Sequence, residues 1–336
     1  MIKLKYNLCC LLAILSITSC SSEDETKPQE EPISPPNPEQ EIVYSSFAET
    51  SELTLPEITS DFDPRSIRIS GDSLFISNTA SADRAVYVVS RSSKKILAKI
   101  NQWKRAGIKE TFPSEITDIA ITSRFLFVGQ TNPSRVTVFD RRNWKCVNVI
   151  GCASGYGGGI TQLTHCYGIR EWNDRIIVRD FNTIRGYWME EVIKEPAFNI
   201  PWIGIVRNAN ITSEYYQQAL TSYKDQVFIA NHNNKHIQII SPAKMKILWG
   251  ETCDINPDTL FQLKDINPSG LAISGGQLLV SSGSPVVRRY NLRTGVLMDT
   301  IATFKNRQVG RMEVAGNQLY FIDWKTKKVI VADGKP

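Results

Sequence analysis

Histidine is scarce in this chain, three residues in 336, and no Cys-x-x-Cys pair occurs among its seven cysteines. The cysteine–histidine spacing therefore does not resemble a zinc site, which draws its ligands from closely spaced pairs. A membrane-spanning helix is missing too: the apolar run Leu8–Ile17 is shorter than the ~20 residues that crossing a bilayer requires. The glycine-rich stretch Gly151–Gly159 lacks the Gly-Lys-Ser/Thr of a phosphate loop and reads as a long surface loop. No apolar period of 3.6 residues marks out helices. What fills the chain instead is a succession of short β-strand patterns separated by polar turns.

These patterns repeat. Ser114–Gly151 reads as four strands in a row, and versions of it run to the C-terminus. The second strand of each version carries an apolar anchor: Leu74, Leu126, Ile176, Val227, Leu278 and Leu319, spaced 52, 50, 51, 51 and 41 residues apart. A first strand precedes each anchor (Ser66–Ile69, Ile116–Ile121, Tyr167–Arg170, Ala219–Ser222, Gly270–Ile273, Arg311–Val314). A third follows it (Val86–Val89, Val136–Phe139, Gly186–Trp188, Ile237–Ile240, Val287–Tyr290, Val329–Ala332). One such unit cannot bury both faces of its sheet, so the repeats must pack on each other. The expectation is an all-β fold, a six-bladed β-propeller over residues 42–336. The last unit stops without a fourth strand, and Ile42–Leu55 is the segment expected to supply it and close the ring.

Ahead of the repeats, residues 1–19 have the parts of a secretory signal: Lys3 and Lys5, the apolar run, then small residues. Leu15–Cys20 resembles a bacterial lipobox, although Ile17 stands where leucine is usual. That resemblance implies cleavage before Cys20, acylation of that cysteine and a stable membrane anchor. Residues 20–41, rich in Pro and Glu, read as a lipidated, disordered tether. Its acidic start, Ser21–Glu25, resembles the signal for the outer face of the Gram-negative outer membrane. Setting aside residues 21–41 and the two leader lysines leaves 36 basic residues against 27 acidic ones. That excess biases the folded part toward anionic partners. Of the remaining cysteines, Cys152 and Cys166 flank one loop and are the first candidates for a bridge, with free thiols the alternative.

The turns Asn132–Val136, Asn182–Arg185 and Asn233–Ile237 resemble, with one extra residue, the Asn-x-Arg-Ile turn of NHL and YncE-type propellers. The resemblance covers roughly residues 60–336. It speaks for architecture and is weak for function. Asp323-Trp324 is the reverse of a Trp-Asp signature, and no Asp-box is present. In propellers of this kind one face gathers the loops leading into first strands and those between second and third strands. Onto that face fall Arg65, Glu115, His165, Asp180, Asn231, His232 and Asp323, with Arg135 and Arg185 from the basic turns. Two functions follow. The first is a non-catalytic binding or scaffold module for an anionic glycan or a protein partner, monomeric and without cofactor, with nucleic acid disfavoured by an extracellular location. The second is a lactonase-like hydrolase or lyase using Glu115, His165 and Asp180, with Ca²⁺ held by Glu115, Asp180 and Asn231. Trp103, Trp202 and Trp324 are further candidates for stacking on sugars. Gly151–Gly159 and Glu251–Pro268 are the candidate specificity loops.

Overall fold

The computed structural model describes residues 43–336 apart from 56–57, 59–60, 106, 152–162, 164, 181–182, 195–201, 207–218, 225, 233–234, 241–258 and 264–265. The expected signal sequence, Cys20 and the expected tether lie outside the described residues, as do most of the two candidate specificity loops.

Six four-stranded antiparallel sheets make up the domain. Their first strands are β2 (Pro64–Ser70), β8 (Ile116–Ile121), β12 (Cys166–Trp172), β16 (Leu220–Tyr223), β20 (Gly270–Ser274) and β24 (Val309–Ala315). Each packs on the next, and β24 packs back on β2, so the first strands form a closed ring about an axis. The second strands are β3 (Ser73–Asn78), β9 (Phe125–Thr131), β13 (Arg175–Asp180), β17 (Gln226–Asn231), β21 (Gln277–Ser281) and β25 (Gln318–Asp323). Neighbouring sheets sandwich these strands. In β3, Leu74 to Asn78 are buried without a break, which is why the second strands read as apolar runs rather than alternations.

The core is divided among the interfaces between sheets. Leu74, Ile76 and Tyr87 of the first blade pack on Tyr320, Ile322 and Val329 of the sixth. Phe75 and Val88 pack on Ile119, Leu126 and Val128 of the second. Corresponding clusters join the second to the third blade, the third to the fourth, the fourth to the fifth and the fifth to the sixth. Every blade is thus a wall of two clusters, and no blade can keep its apolar surface dry alone. Each fully buried Leu, Ile or Phe contributes roughly 1.5–3 kcal/mol relative to exposure.

Closure comes from the N-terminal segment. Strand β1 (Ser46–Glu52) pairs antiparallel with β26 (Lys328–Lys335), with a bulge between Glu49 and Ser51. Tyr44 and Phe47 enter the core of the last blade with Phe321 and Ile330. The Tyr44 hydroxyl donates to the Gly316 carbonyl at 2.9 Å. Outside, Arg307 donates to Glu49, to Glu52 (2.9 Å) and to Asp323 (3.2 Å), which ties the first strand to the last blade.

Two elements escape the repeat pattern. Gln102–Arg105 (β6) and Ile108–Thr111 (β7) form a hairpin between the first and second blades, turning through Gly107 at φ +82°. Met189–Lys194 (α1) is a short helix following β14 (Thr183–Trp188), the third strand of its blade. Two sequence expectations are corrected. Cys166 is a fully buried free thiol rather than half of a bridge. Trp103 is 5% exposed, its ring 4.8 Å from Phe112 and 5.2 Å from Phe139, so it packs the hairpin onto the second blade and presents no face to a sugar.

Candidate functional site: the rim and the central channel

The rim residues that close the second strands share one geometry. The Asn78 side chain accepts the backbone N–H of Asp63 at 2.8 Å, Asp180 that of His165 at 2.7 Å, and Asp323 that of Gln308 at 2.9 Å. In each case the partner lies 15 residues upstream, just before the first strand of the same blade. These side chains latch the entering loop onto its own sheet, replacing a ladder bond lost where the first strand begins. Register shifts at Pro64/Ser66, Ile116/Asp118, Cys166/Gly168 and Val309/Met312 mark that irregularity.

The carboxylates expected on the rim are therefore engaged. Asp180 is 1% exposed and also pairs with Arg185 at 2.8 Å. Asp323 is fully buried and accepts from Thr326 Oγ1 at 2.6 Å and from Arg307 at 3.2 Å. Burial pushes the Asp323 carboxyl up, but these donors outweigh it and hold the group below its ordinary value. His165 is half-buried, stacked on Tyr167 at 5.5 Å between ring centres. Burial lowers its imidazole, against the opposing pull of Asp180. Glu115 is half-buried just before β8, Asn231 fully buried at the end of β17, and the His232 ring lies 3.4 Å from the Asn267 side chain.

The basic residues near the rim differ in their surroundings. Arg135 is buried, donates to Gln130 at 2.9 Å and covers the Trp103 ring; Arg185 is buried against Asp180. Arg65 pairs with Asp63 at 3.1 Å, and Arg84 donates to the Pro113 carbonyl at 2.8 Å. Lys235 and Lys328 are exposed, and Lys328 pairs with Glu52. Arg288 edges a rim cavity of about 250 Å³ that also holds Ser282, Ser284 and Val286. Trp324 is half-buried, its indole against Gly310 and Gly283, and the Trp202 side chain lies outside the described residues.

Sequence reasoning missed the channel itself. Eight residues before each anchor stand Ser66, Asp118, Gly168, Ala219, Gly270 and Arg311; six before it stand Arg68, Ala120, Arg170, Thr221, Ala272 and Glu313. Asp118, fully buried, joins four blades. It accepts from Ser66 Oγ and from Arg68 (3.1 Å) of the first blade, and from the Ile169 N–H (3.0 Å) of the third. Arg311 of the sixth blade donates to it at 3.3 Å. Burial pushes the Asp118 carboxyl up; Arg68 and Arg311, with Ser66 and the Ile169 amide, pull harder and hold it below the usual carboxylate range.

Further along the axis, Glu313 pairs with Arg170 (3.5 Å) and Arg68 (3.7 Å). These groups edge a cavity of about 110 Å³, and Arg170 and Glu313 also edge a second of about 310 Å³ beside Ser222 and Tyr223. Both cavities open at the turns between first and second strands, the face opposite the one on which the sequence places the site. The missed signal was legible in principle: ionic residues recurring at a fixed distance from the anchors, inside otherwise apolar strands.

No known protein family matches the chain, and no curated protein matches it in sequence. Solved structures do match. The WD40 repeats of RRP9 align with a TM-score of 0.58 at 12% identity, over 88% of this chain and all of that one. The β-propeller domain of Cps50 (Swd1) from Myceliophteria thermophila aligns at 0.53 and 12% identity, over 85% of this chain and 99% of that one. U3-55K aligns at 0.52 and 11% identity, over 82% and 96%. At these identities the likeness concerns the fold alone.

Proposed function

We propose that the protein is a non-catalytic binding or scaffold propeller of the NHL or YncE kind. It is held at the cell exterior by acylation of Cys20 in the outer membrane and takes an anionic glycan or a protein partner. The observation that carries the non-catalytic reading is the use made of the rim carboxylates. Asp180 and Asp323 accept amides 15 residues upstream and pair with Arg185 and Arg307, so each fastens the entering loop to its own blade. As a base, or as a Ca²⁺ ligand beside Glu115 and Asn231, Asp180 would act with both carboxylate oxygens already engaged by His165 and Arg185. An anionic ligand is supported by the basic excess of the folded part and by the arginines at the cavities, Arg170 and Arg288.

The test is a glycan array with the purified domain at low and physiological salt. Binding to carboxylated or sulfated glycans that weakens with salt and with Arg288→Ala is the expected result. Neutral-glycan binding alone, or none at low salt, overturns the anionic reading. Calcium-dependent hydrolysis abolished by Glu115→Gln overturns the non-catalytic one. Loss of surface display in Cys20→Ala checks the anchor.

A further inference from the structure

Arg179 is the largest fully buried side chain of the domain, and none of its three guanidinium nitrogens finds a hydrogen-bond partner among the described residues. It sits on β13 at a position where the other blades carry Ser77, Gly129, Ala230, Ser281 and Ile322. Four of these are small and the fifth, Ile322, is apolar and packs against the first blade, because the position faces the neighbouring blade. Ser281 Oγ donates to the Gly310 carbonyl at 2.7 Å, and a side chain at Gly129 would strike Cys166 and Ile169. Arg179 is long enough to reach beyond this interface, and the groups whose charge acts on it are Tyr167 and the channel residue Arg311. The channel positions of the third and fourth blades are Gly168 and Ala219, with no long side chain. Its charge is felt together with that of Arg311, which comes from the opposite side of the ring.

The channel is thus polarised. On one side Asp118 is shared by Arg68 and Arg311, and Glu313 also pairs with Arg68; on the other, Arg179 has no carboxylate partner among the described residues. The Nε of Arg311 also lacks a partner. Burial, reinforced by the Arg311 charge, pushes the Arg179 guanidinium well down from its ordinary value. Arginine does not give up its proton in proteins, so the cost must be met by a counter-charge rather than by neutralisation. We propose that the central channel is a binding site for a small inorganic anion, a halide or an oxyanion, held by Arg179 and the Nε edge of Arg311. A guanidinium fork suits either, and complete burial limits the guest to a small one. The anion completes the charge ring that Asp118 begins and acts as part of the fold's central support. This site is independent of any ligand at the surface.

The experiment uses the intact domain. Crystals grown without sulfate or phosphate and soaked in bromide are expected to show an anomalous peak within hydrogen-bond reach of the Arg179 guanidinium. In solution, replacing gluconate by chloride at constant ionic strength is expected to raise Tm by several degrees, because an anion that binds only the folded state stabilises it. Parallel arms with sulfate and phosphate distinguish an oxyanion from a halide site. Arg179→Met is expected to abolish the dependence, and Arg170→Met at the channel mouth to retain it. Should Arg179→Met fail to fold, the wild-type peak and titration decide. A channel empty of bromide with equal Tm in all four anions overturns the proposal. So does an Arg179→Met protein whose Tm still follows the anion.

Discussion

Replacing Asp118 by asparagine removes the negative charge around which four blades meet while keeping the shape of the side chain. Arg68 and Arg311 are then left with side chains only 4% and 3% exposed and without their shared counter-ion. Breaking a buried pair by deleting one partner costs about 3–5 kcal/mol, because the remaining charge stays desolvated. Unfolding entropy of about 2.1 cal/mol/K per residue converts this, for a domain of this size, into a Tm lower by about 5–8 °C. Thermal unfolding followed by circular dichroism measures it directly. The double variant Asp118→Asn, Arg311→Met should lose less than the two single variants summed, since the second change removes the stranded charge. Acid dependence gives an independent reading. The folded-state pKa of Asp118 lies below its unfolded value of about 3.9, so its contribution is full above that value and fades as pH falls through the folded pKa. Wild type should therefore lose stability with acid more steeply than Asp118→Asn. A variant within about 2 °C of wild type, with the same acid slope, would refute the idea that this carboxylate centres the ring.

Phe47→Ala should destabilise by about 3–5 kcal/mol and expose β1 to proteolysis before any other strand, because Phe47 is 4% exposed in the core of the last blade. Limited digestion with sequencing of the first cut checks this. Gly270→Ala should cost about 1–3 kcal/mol or more, since its Cβ would meet the Gly310 carbonyl oxygen, which is backbone and cannot swing away; urea titration measures it. The Cys166 thiol is fully buried and its pKa pushed well up, first by burial and then by the nearby carboxylates. It should stay unlabelled by a thiol reagent in the native protein and react once the chain is unfolded.

The blades were legible because burial on both faces leaves a mark in one strand. Leu126-Phe-Val or Leu319-Tyr-Phe-Ile could not sit anywhere but between two sheets, and the spacing of such runs counts the blades. Closure by β1 was legible from arithmetic, a sixth unit one strand short and an unassigned apolar strand at the other end. The hairpin Gln102–Thr111 was not. It belongs to one blade interface only, so no period announces it, and Trp103 looked like a loop residue until Phe112 and Phe139 enclosed it.

The packing roles of the rim and channel side chains were hidden for a related reason. A carboxylate at the end of a second strand, such as Asp180, carries the same sequence signature whether it faces a ligand or an amide 15 residues upstream. Only the register decides, and the recurrence of one bond at Asn78, Asp180 and Asp323 identifies a building rule. In the channel the relevant partners are supplied by different blades. Asp118 meets Ser66 at 52 residues and Arg311 at 193, distances that no local pattern encodes. A repeat protein can vary these positions blade by blade without disturbing any sheet, because the strands present them to the axis rather than to each other. That freedom allows one blade to carry aspartate, its opposite numbers arginine, and a third to carry the buried Arg179 where its sisters keep serine, glycine, alanine or isoleucine. Chemistry specific to this chain should therefore be sought first where the sixfold pattern is broken, along the axis.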